Sequence, residues 1–204
     1  MTVYDSTTLA TLATGAHARR PLVYVRGKDS GGSAKTFGFW GGLGTVSVTV
    51  VSAVDGSSES RSYKGDGALI GIDSVVYSLG LDVRTIDCTL SQIHADVQDM
   101  VRANDIRHAL VEVHVGILDA ATGALVAAPL PYWLGYVDGA PVETPADGGE
   151  GAITLKMVSA SVDLTRVNSA TKGDEYQKLR STDRYFKWAD AAGGIKVVWG
   201  QERA

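Results

Sequence analysis

Apolar and polar residues alternate in short runs over most of this chain, and no other feature limits its fold as strongly. Two clear runs are TVSVTVV at 45–51 and LVEVHVGIL at 110–118. Such alternation places successive side chains on opposite faces of a β-strand. In the second run, the residues predicted to share one face are Leu110, Glu112, His114 and Gly116. The whole pattern predicts a mainly β fold of about eight or nine strands, built as a sandwich or barrel.

The first hairpin can be predicted from turn chemistry. The run PLVYVRG at 21–27 is predicted to place Leu22, Tyr24 and Arg26 on one face and Val23 and Val25 on the other. KDSGGSAK then turns the chain, and TFGFWGG returns it. The 24 glycines against 5 prolines suit a protein with many tight reversals between strands. The polar stretch SSESRSYKGDG is expected to form a turn and an edge.

One segment breaks the period of two. In LSQIHADVQDMVRAND, apolar residues recur at spacings of three and four, which predicts an amphipathic helix over about 91–104. Ser91 is the expected N-cap, and the helix is expected to end at Asn104 or Asp105. A single helix among many strands is expected to flank the sheet and cover one of its faces.

The sequence contains no convincing catalytic, cofactor or metal site. His17, His94, His108 and His114 have no metal-ligand spacing, and they are expected on the surface or at helix caps. The glycine-rich runs GFWGGLG and KGDGALIG match neither a dinucleotide fingerprint nor a Walker loop. Cys88 has no neighbouring base and is expected to be a packed thiol. We therefore predict that the protein is not an enzyme and binds no cofactor.

Charge and hydropathy exclude two further classes of function. The net charge is −4, and no run of Lys or Arg could neutralise a phosphate backbone, which argues against general nucleic-acid binding. No apolar window is long enough to cross a membrane. The first residues lack the apolar core of a signal peptide, so the chain is expected in a cytoplasm, at least at first.

The chain is divided by composition into three parts. Residues 1–20 form a polar N-terminal extension, residues 21–168 the β domain, and residues 169–204 a C-terminal arm. The arm interleaves cations and acids, yet it contains several aromatic residues whose large apolar surfaces are seldom left in water. An extended arm of this composition is expected to dock onto a neighbouring subunit. The candidate subunit-interface residues are Arg166, Gln177, Arg180, Asp183, Tyr185, Phe186, Trp188 and Trp199.

Several segments, in order, resemble the tail-tip proteins of long-tailed (siphovirus-type) bacteriophages, the distal tail and baseplate hub group. They include FWGGLGTVSV, the stretch from GLDVRTIDCTL to VEVHVGILDAATGALV, LGYVDG and the closing VVWG. The most specific part is Leu164-Thr165-Arg166 followed by Gln177, Arg180, Asp183 and Phe186, ending at Trp199-Gly200. The resemblance spans about residues 20–200, nearly the whole sequence.

This resemblance implies a tail-tube-like β-barrel or sandwich with one flanking helix, repeated about an axis as a ring. The ring would join the tail tube to the tip of the virion and surround the channel through which DNA passes without specific binding. A hexamer is favoured and a trimer is possible, with tube and hub or tip proteins as neighbours. The protein would be assembled in the host cytoplasm and reside in the virion tail tip. No catalytic residues are implied.

A second class of function stays open at this stage. Trp40, Tyr132 and Trp133 fall beside predicted turns, where aromatic rings could stack on sugars. A carbohydrate-binding or adhesive β-sandwich is therefore the alternative to a ring-forming virion protein.

Overall fold

The structure is a computed structural model that describes residues 4–76, 82–147, 151–167 and 173–194. The chain divides into two compact units, residues 1–165 and residues 166–204. The first unit contains one ten-stranded sheet with short helices, so the predicted mainly β class is confirmed. The strands are β1 His17–Lys28, β2 Ala34–Trp40, β3 Thr45–Val51, β4 Ser58–Lys64, β5 Leu69–Ile72, β6 Thr85–Ser91, β7 Asp105–Asp119, β8 Leu130–Gly139, β9 Val142–Glu143 and β10 Ala152–Ser159.

The sheet is open, with strand order β3-β4-β2-β1-β7-β8-β10-β6-β5, and β9 pairs with β10 outside this path. All the neighbouring pairs are antiparallel except β2 with β4, which meet in parallel at Phe39 and Lys64. The predicted β1–β2 hairpin is confirmed. Pro131 lies at a register shift between β7 and β8, as a bulge would require.

Strands β1 and β7 are central and carry apolar side chains on both faces. Val23 and Val113, which are paired across these strands, lie in the larger core with residues of β2, β6, β8 and β10. On the opposite face, Leu22 packs with Val48, Val50 and Tyr63 in a smaller core. The hairpin of β3 and β4 therefore covers one face of the central strands, and the predicted alternation along β1 and β7 is correct.

The predicted helix over 91–104 is shorter and starts later than expected. Ser91 is the last residue of β6, and helix α2 spans Ala95–Gln98 with His94 as its N-cap. A π-helical turn, Asp99–Ala103, continues it to the cap residue Asn104, so the predicted end is correct. Ser91 fails as a cap because pairing with Ala152 keeps it in the sheet.

A second helix was missed by the hydrophobic pattern. Helix α1 spans Ser6–Thr14, begins where Asp5 accepts a hydrogen bond from the Thr8 N–H, and ends at left-handed Gly15. Strand β1 then starts at His17 rather than after residue 20. The expectation of a single helix is wrong because this helix depends on its caps and on burial of Thr8 rather than on an apolar stripe.

Strand β4 corrects another expectation. The stretch expected to be a polar turn and edge forms a strand between β3 and β2. Arg61 and Tyr63 point into the smaller core with 3% and 0% of their surface exposed. Arg61 can be buried there because carboxylates on β4 and β7 neutralise it.

Short helices also occur near the end of the first unit and in the second. Helix α3 spans Val162–Thr165 in the first unit, and helices α4 Asp174–Lys178 and α5 Ala189–Ala192 lie in the second. Within 173–194, the predicted extended arm is therefore wrong, since the backbone forms helical turns. Residues 168–172 and 195–204 lie outside the described part of the chain.

Candidate assembly surface

Glu112 lies at the centre of an ionic cluster that fixes the β3–β4 hairpin to the central strands. Its carboxylate is fully buried and accepts hydrogen bonds from Arg61 Nη2 at 2.9 Å and Arg26 Nη2 at 3.0 Å. The backbone N–H of Ala53, in the turn after β3, donates to the other carboxylate oxygen at 2.7 Å. Glu59 lies on β4, is half-buried, and forms ion pairs with both arginines. The cluster thus ties three strands and one turn together.

The electrostatics of this cluster favour its charged form. Burial alone would raise the pKa of the Glu112 carboxyl, but the hydrogen bonds from Ala53 and Arg61 and the charges of Arg61 and Arg26 hold it below its usual value. Burial opposes the charge of Arg61 as well, and Glu112 outweighs that effect and raises the pKa of its guanidinium. Because every charge faces an opposite charge, the arrangement holds the fold together.

His114 belongs to the same face of β7 and is fully buried, so the expectation of surface or cap histidines is wrong for it. Its Nε2 lies 2.8 Å from the Val51 carbonyl, a second tie between β7 and the end of β3. Burial lowers the pKa of its imidazole below the usual value, which keeps it neutral as the donor to that carbonyl. His94 is a helix cap, as predicted.

Strand β3 ends the sheet and presents an unprotected edge. Its seven residues contain no charge and no proline, and its register with β4 runs without a bulge. Among the described residues, no strand pairs with its outer side. Natural proteins usually protect edge strands with lysine, proline, bulges or short length, since a regular free edge recruits another strand.

The other end of the sheet is protected in two of these ways. Strand β5 has only four residues, and its register with β6 shifts between Leu69 and Gly71. Ile70 between them is 61% exposed. The two terminal strands are therefore unequal, and β3 is the better acceptor of a further strand.

An apolar groove of about 510 Å³ lies beside β3. Its lining comes from β3, from the last residue of β2, and from the end of β7 with the turn and chain segment that follow it. No lining residue carries a charge: they are Trp40, Val46, Ser47, Val48, Thr49, Leu118, Gly123, Ala124, Leu125, Ala127 and Ala128.

Five of the predicted interface residues lie on one local structure of the second unit. Gln177 Nε2 donates to Asp183 at 2.5 Å, and the N–H of Arg180 donates to the Gln177 carbonyl at 2.9 Å. The Asp183 carboxylate also accepts from the Tyr185 N–H, and the rings of Tyr185 and Phe186 meet edge to face at 5.1 Å. These residues hold one another in place.

Tyr185 and Trp188 expose large aromatic surfaces in the second unit. Tyr185 is 81% exposed and Trp188 is 68% exposed, and the Lys187 ammonium lies 4.7 Å from the Trp188 ring centroid. Arg166 is exposed at the start of this unit, and Trp199 lies outside the described residues. Tyrosine and tryptophan are enriched among the anchor residues of protein interfaces.

The three aromatic residues considered for sugar binding are buried or half-buried. Trp133 is 8% exposed and belongs to the larger core, against which Tyr132 also packs. Trp40 is half-buried, and its Nε1 donates to the Gly44 carbonyl at 2.9 Å. Trp133 and Tyr132 therefore contribute to packing, whereas Trp40 stabilises a turn and also lines the groove beside β3.

Other candidate groups have structural roles or do not gather into a site. Cys88 is buried, as predicted, and burial raises the pKa of its thiol to about 12. No cluster of three His, Cys, Asp or Glu side chains that could hold a metal occurs among the described residues. Over the same part of the chain, no helix has the length and apolar character needed to cross a bilayer.

Sequence reasoning missed the cluster around Glu112 and the free edge of β3. The sequence signal for the cluster was a glutamate and a histidine on one face of the valine-rich strand β7. Arg61 is 51 residues away in the sequence, so nothing in the local pattern pointed to it as the partner of Glu112. The edge could not be found from the sequence, because strand order decides which strand is terminal.

Comparison with known proteins identifies no family for this chain. No family model matches it, and no curated protein matches it. One solved structure, a candidate oxidoreductase from Sinorhizobium meliloti 1021, aligns with 78% of this chain at 11% identity and a TM-score of 0.25. The aligned region spans 47% of that protein, and a similarity this low carries no argument about fold or function.

Proposed function

We propose that this chain is a structural virion protein that forms a ring in the tail tip of a long-tailed bacteriophage. As a distal tail or baseplate hub protein, the ring joins the tail tube to the tip and surrounds the DNA channel. The observation that carries the proposal is the regular, uncharged outer edge of β3, to which no described strand is paired. Repetition about an axis supplies each such edge with a neighbour.

Two further observations support a ring over a closed monomer. The cluster around Glu112 holds the β3–β4 hairpin rigidly on the central strands, so the edge is presented in one orientation. Tyr185 and Trp188 offer exposed aromatic surface of the kind that anchors subunit contacts. The unequal ends of the sheet suit a head-to-tail contact, which closes into a ring when the rotation permits.

The partners of this ring follow from the same proposal. Six copies are favoured and three are the alternative, with tail tube and hub or tip proteins above and below. The net charge of −4 and the absence of Lys or Arg runs suit a channel through which DNA slides without being gripped. The chain has no catalytic role in this account, and its place is the virion tail tip after assembly in the host cytoplasm.

The test is electron microscopy and sedimentation of the purified full-length chain. We expect rings of sixfold or threefold symmetry, and we expect the double variant Ser47→Lys/Thr49→Lys to remain monomeric because edge lysines repel an incoming strand. The matched control is Ser60→Lys/Ser62→Lys, which places the same charges on β4, one strand further in and opposite the same positions. A full-length protein that stays monomeric at high concentration and binds glycans would instead favour the sugar-binding alternative.

A further inference from the structure

We propose that the groove beside β3 accepts residues 195–200 of a neighbouring copy as an added strand. This inference rests on the proposed ring and names the segment that completes the edge. The groove is apolar and uncharged, and its volume of about 510 Å³ falls in the range of clefts that enclose a ligand. A strand laid along β3 would bring its side chains against this lining.

The chemistry of the acceptor calls for an extended, mostly apolar segment. The backbone groups on the outer side of β3 need hydrogen-bond partners, apart from the Val51 carbonyl, which lies 2.8 Å from His114 Nε2. An extended chain supplies such partners in series. Val46, Leu118 and Leu125 along the groove need apolar side chains opposite them. A charged or glycine-rich segment would satisfy the backbone without filling the groove.

The sequence of this chain contains a segment with those properties. Residues 195–200 read IKVVWG, with β-branched and aromatic residues and one cation. Ile, Val and Trp favour strands, and the six residues match the seven of β3 in length. Every copy in a ring supplies one such segment and one such groove, so the numbers of donors and acceptors are equal.

Donation to a neighbour also accounts for the exposed aromatic residues that precede this segment. Tyr185 and Trp188 lie within ten residues of Ile195, so a donated strand carries them to the same neighbour. The strand supplies backbone hydrogen bonds and fills the groove, and the rings bury additional surface against the neighbour.

Disulfide trapping between two differently labelled chains tests this inference. One variant carries Thr49→Cys on the edge, and a second carries Lys196→Cys, Val197→Cys or Val198→Cys, which together sample both faces of an extended segment. Cys88 is present in all variants and does not compete, because it is buried and its thiol pKa is raised to about 12. The control replaces the edge variant with Ile70→Cys, which is exposed on β5 at the other end of the sheet.

We expect oxidation of the mixture to produce a dimer of one edge variant and one arm variant, while the Ile70→Cys mixture stays at background. A further single-chain variant carries both Thr49→Cys and Val197→Cys. Cross-linking found only within that chain, and never between chains, would overturn the inference, since the segment would then fold onto its own sheet. Rings in which Thr49→Cys forms no cross-link, or in which the arm variants cross-link to Ile70→Cys instead, would overturn strand donation and leave the proposed ring intact. Failure to form rings and cross-links together would overturn both.

Discussion

The sheet of the first unit and the helical turns of the second differ in what they bury and what they expose. The sheet buries charged side chains, and the helical turns expose aromatic ones. In the sheet, Glu112 and Arg61 form a buried ion pair. In the second unit, Tyr185 and Trp188 are aromatic and mostly exposed. The buried charges fix the position of an edge strand. The exposed aromatic side chains leave apolar surface for contact with another molecule.

The largest loss of stability is expected when the buried charge of Glu112 is removed. Glu112→Gln removes the buried one of the two carboxylate charges that neutralise Arg61. It should lower the free energy of unfolding by about 3–5 kcal/mol, as loss of one partner of a buried pair does. Urea unfolding followed by circular dichroism measures it. Glu59→Gln, whose side chain is 35% exposed, is the control and should cost about 1 kcal/mol or less. Equal losses of stability in the two variants would show that Glu112 contributes no more than Glu59 to holding the β3–β4 hairpin on the central strands.

The role of the exposed aromatic side chains is tested by replacing them with alanine. Tyr185→Ala/Trp188→Ala should weaken subunit association by about 2 kcal/mol or more, roughly thirtyfold in the dissociation constant, as loss of interface hot spots does. The free energy of unfolding of the first unit should change by about 0.5 kcal/mol or less. Sedimentation velocity measures the association. Ile93→Ala, another highly exposed apolar residue, is the control and should assemble normally.

The backbones of β2 and β4 approach each other closely at Gly38, where the β3–β4 hairpin joins the rest of the sheet. A Cβ at Gly38 would lie 2.2 Å from the Ser62 carbonyl oxygen where β2 meets β4, whereas a Cβ at Gly71 meets nothing within 4 Å. Gly38→Ala should therefore cost about 1–3 kcal/mol through overpacking, and Gly71→Ala much less. Thermal unfolding of the two variants compares them directly. Equal stability would mean that β2 and β4 separate easily.

The smallest effect is a pH dependence that arises from His114. Its folded pKa is below the unfolded value of about 6.5, so the unfolded chain binds the proton more readily. Stability is complete above that value and falls as the pH drops below it, by at most about 1.4 kcal/mol per pH unit. Urea unfolding at pH 7.5 and 5.5 measures the slope, which His114→Gln should reduce. An unchanged slope in that variant would assign the dependence to other groups.

Local patterning predicted the class of fold and several strands correctly. The alternation along β1 and β7 gives the face of each residue, because a strand has a fixed side-chain period. Helix α1 was missed although Asp5 and Gly15 provide its cap signals, since the prediction relied on apolar spacing. Helix α2 was placed too early because Ile93, counted as part of its stripe, is 89% exposed before its start.

The candidate surface could be predicted only in part. The aromatic residues of the arm were selected by composition. Tyr185 and Trp188 are exposed, and their place in a subunit interface stays a prediction. The cluster around Glu112 depends on Arg26 and Arg61, which are brought to it by strand pairing rather than by sequence proximity. The free edge of β3 depends on the order of all ten strands, which local patterns do not specify.

Hydrogen exchange along β3 tests the central claim most directly. Deuterium uptake is measured at residues 45–51 in assembled and in monomeric fractions of the full-length chain, with the central strand β1 as the internal reference. The account predicts that assembly slows exchange at β3 and leaves β1 unchanged. Equal exchange at β3 in both fractions, or a protein that never leaves the monomeric fraction, would contradict it.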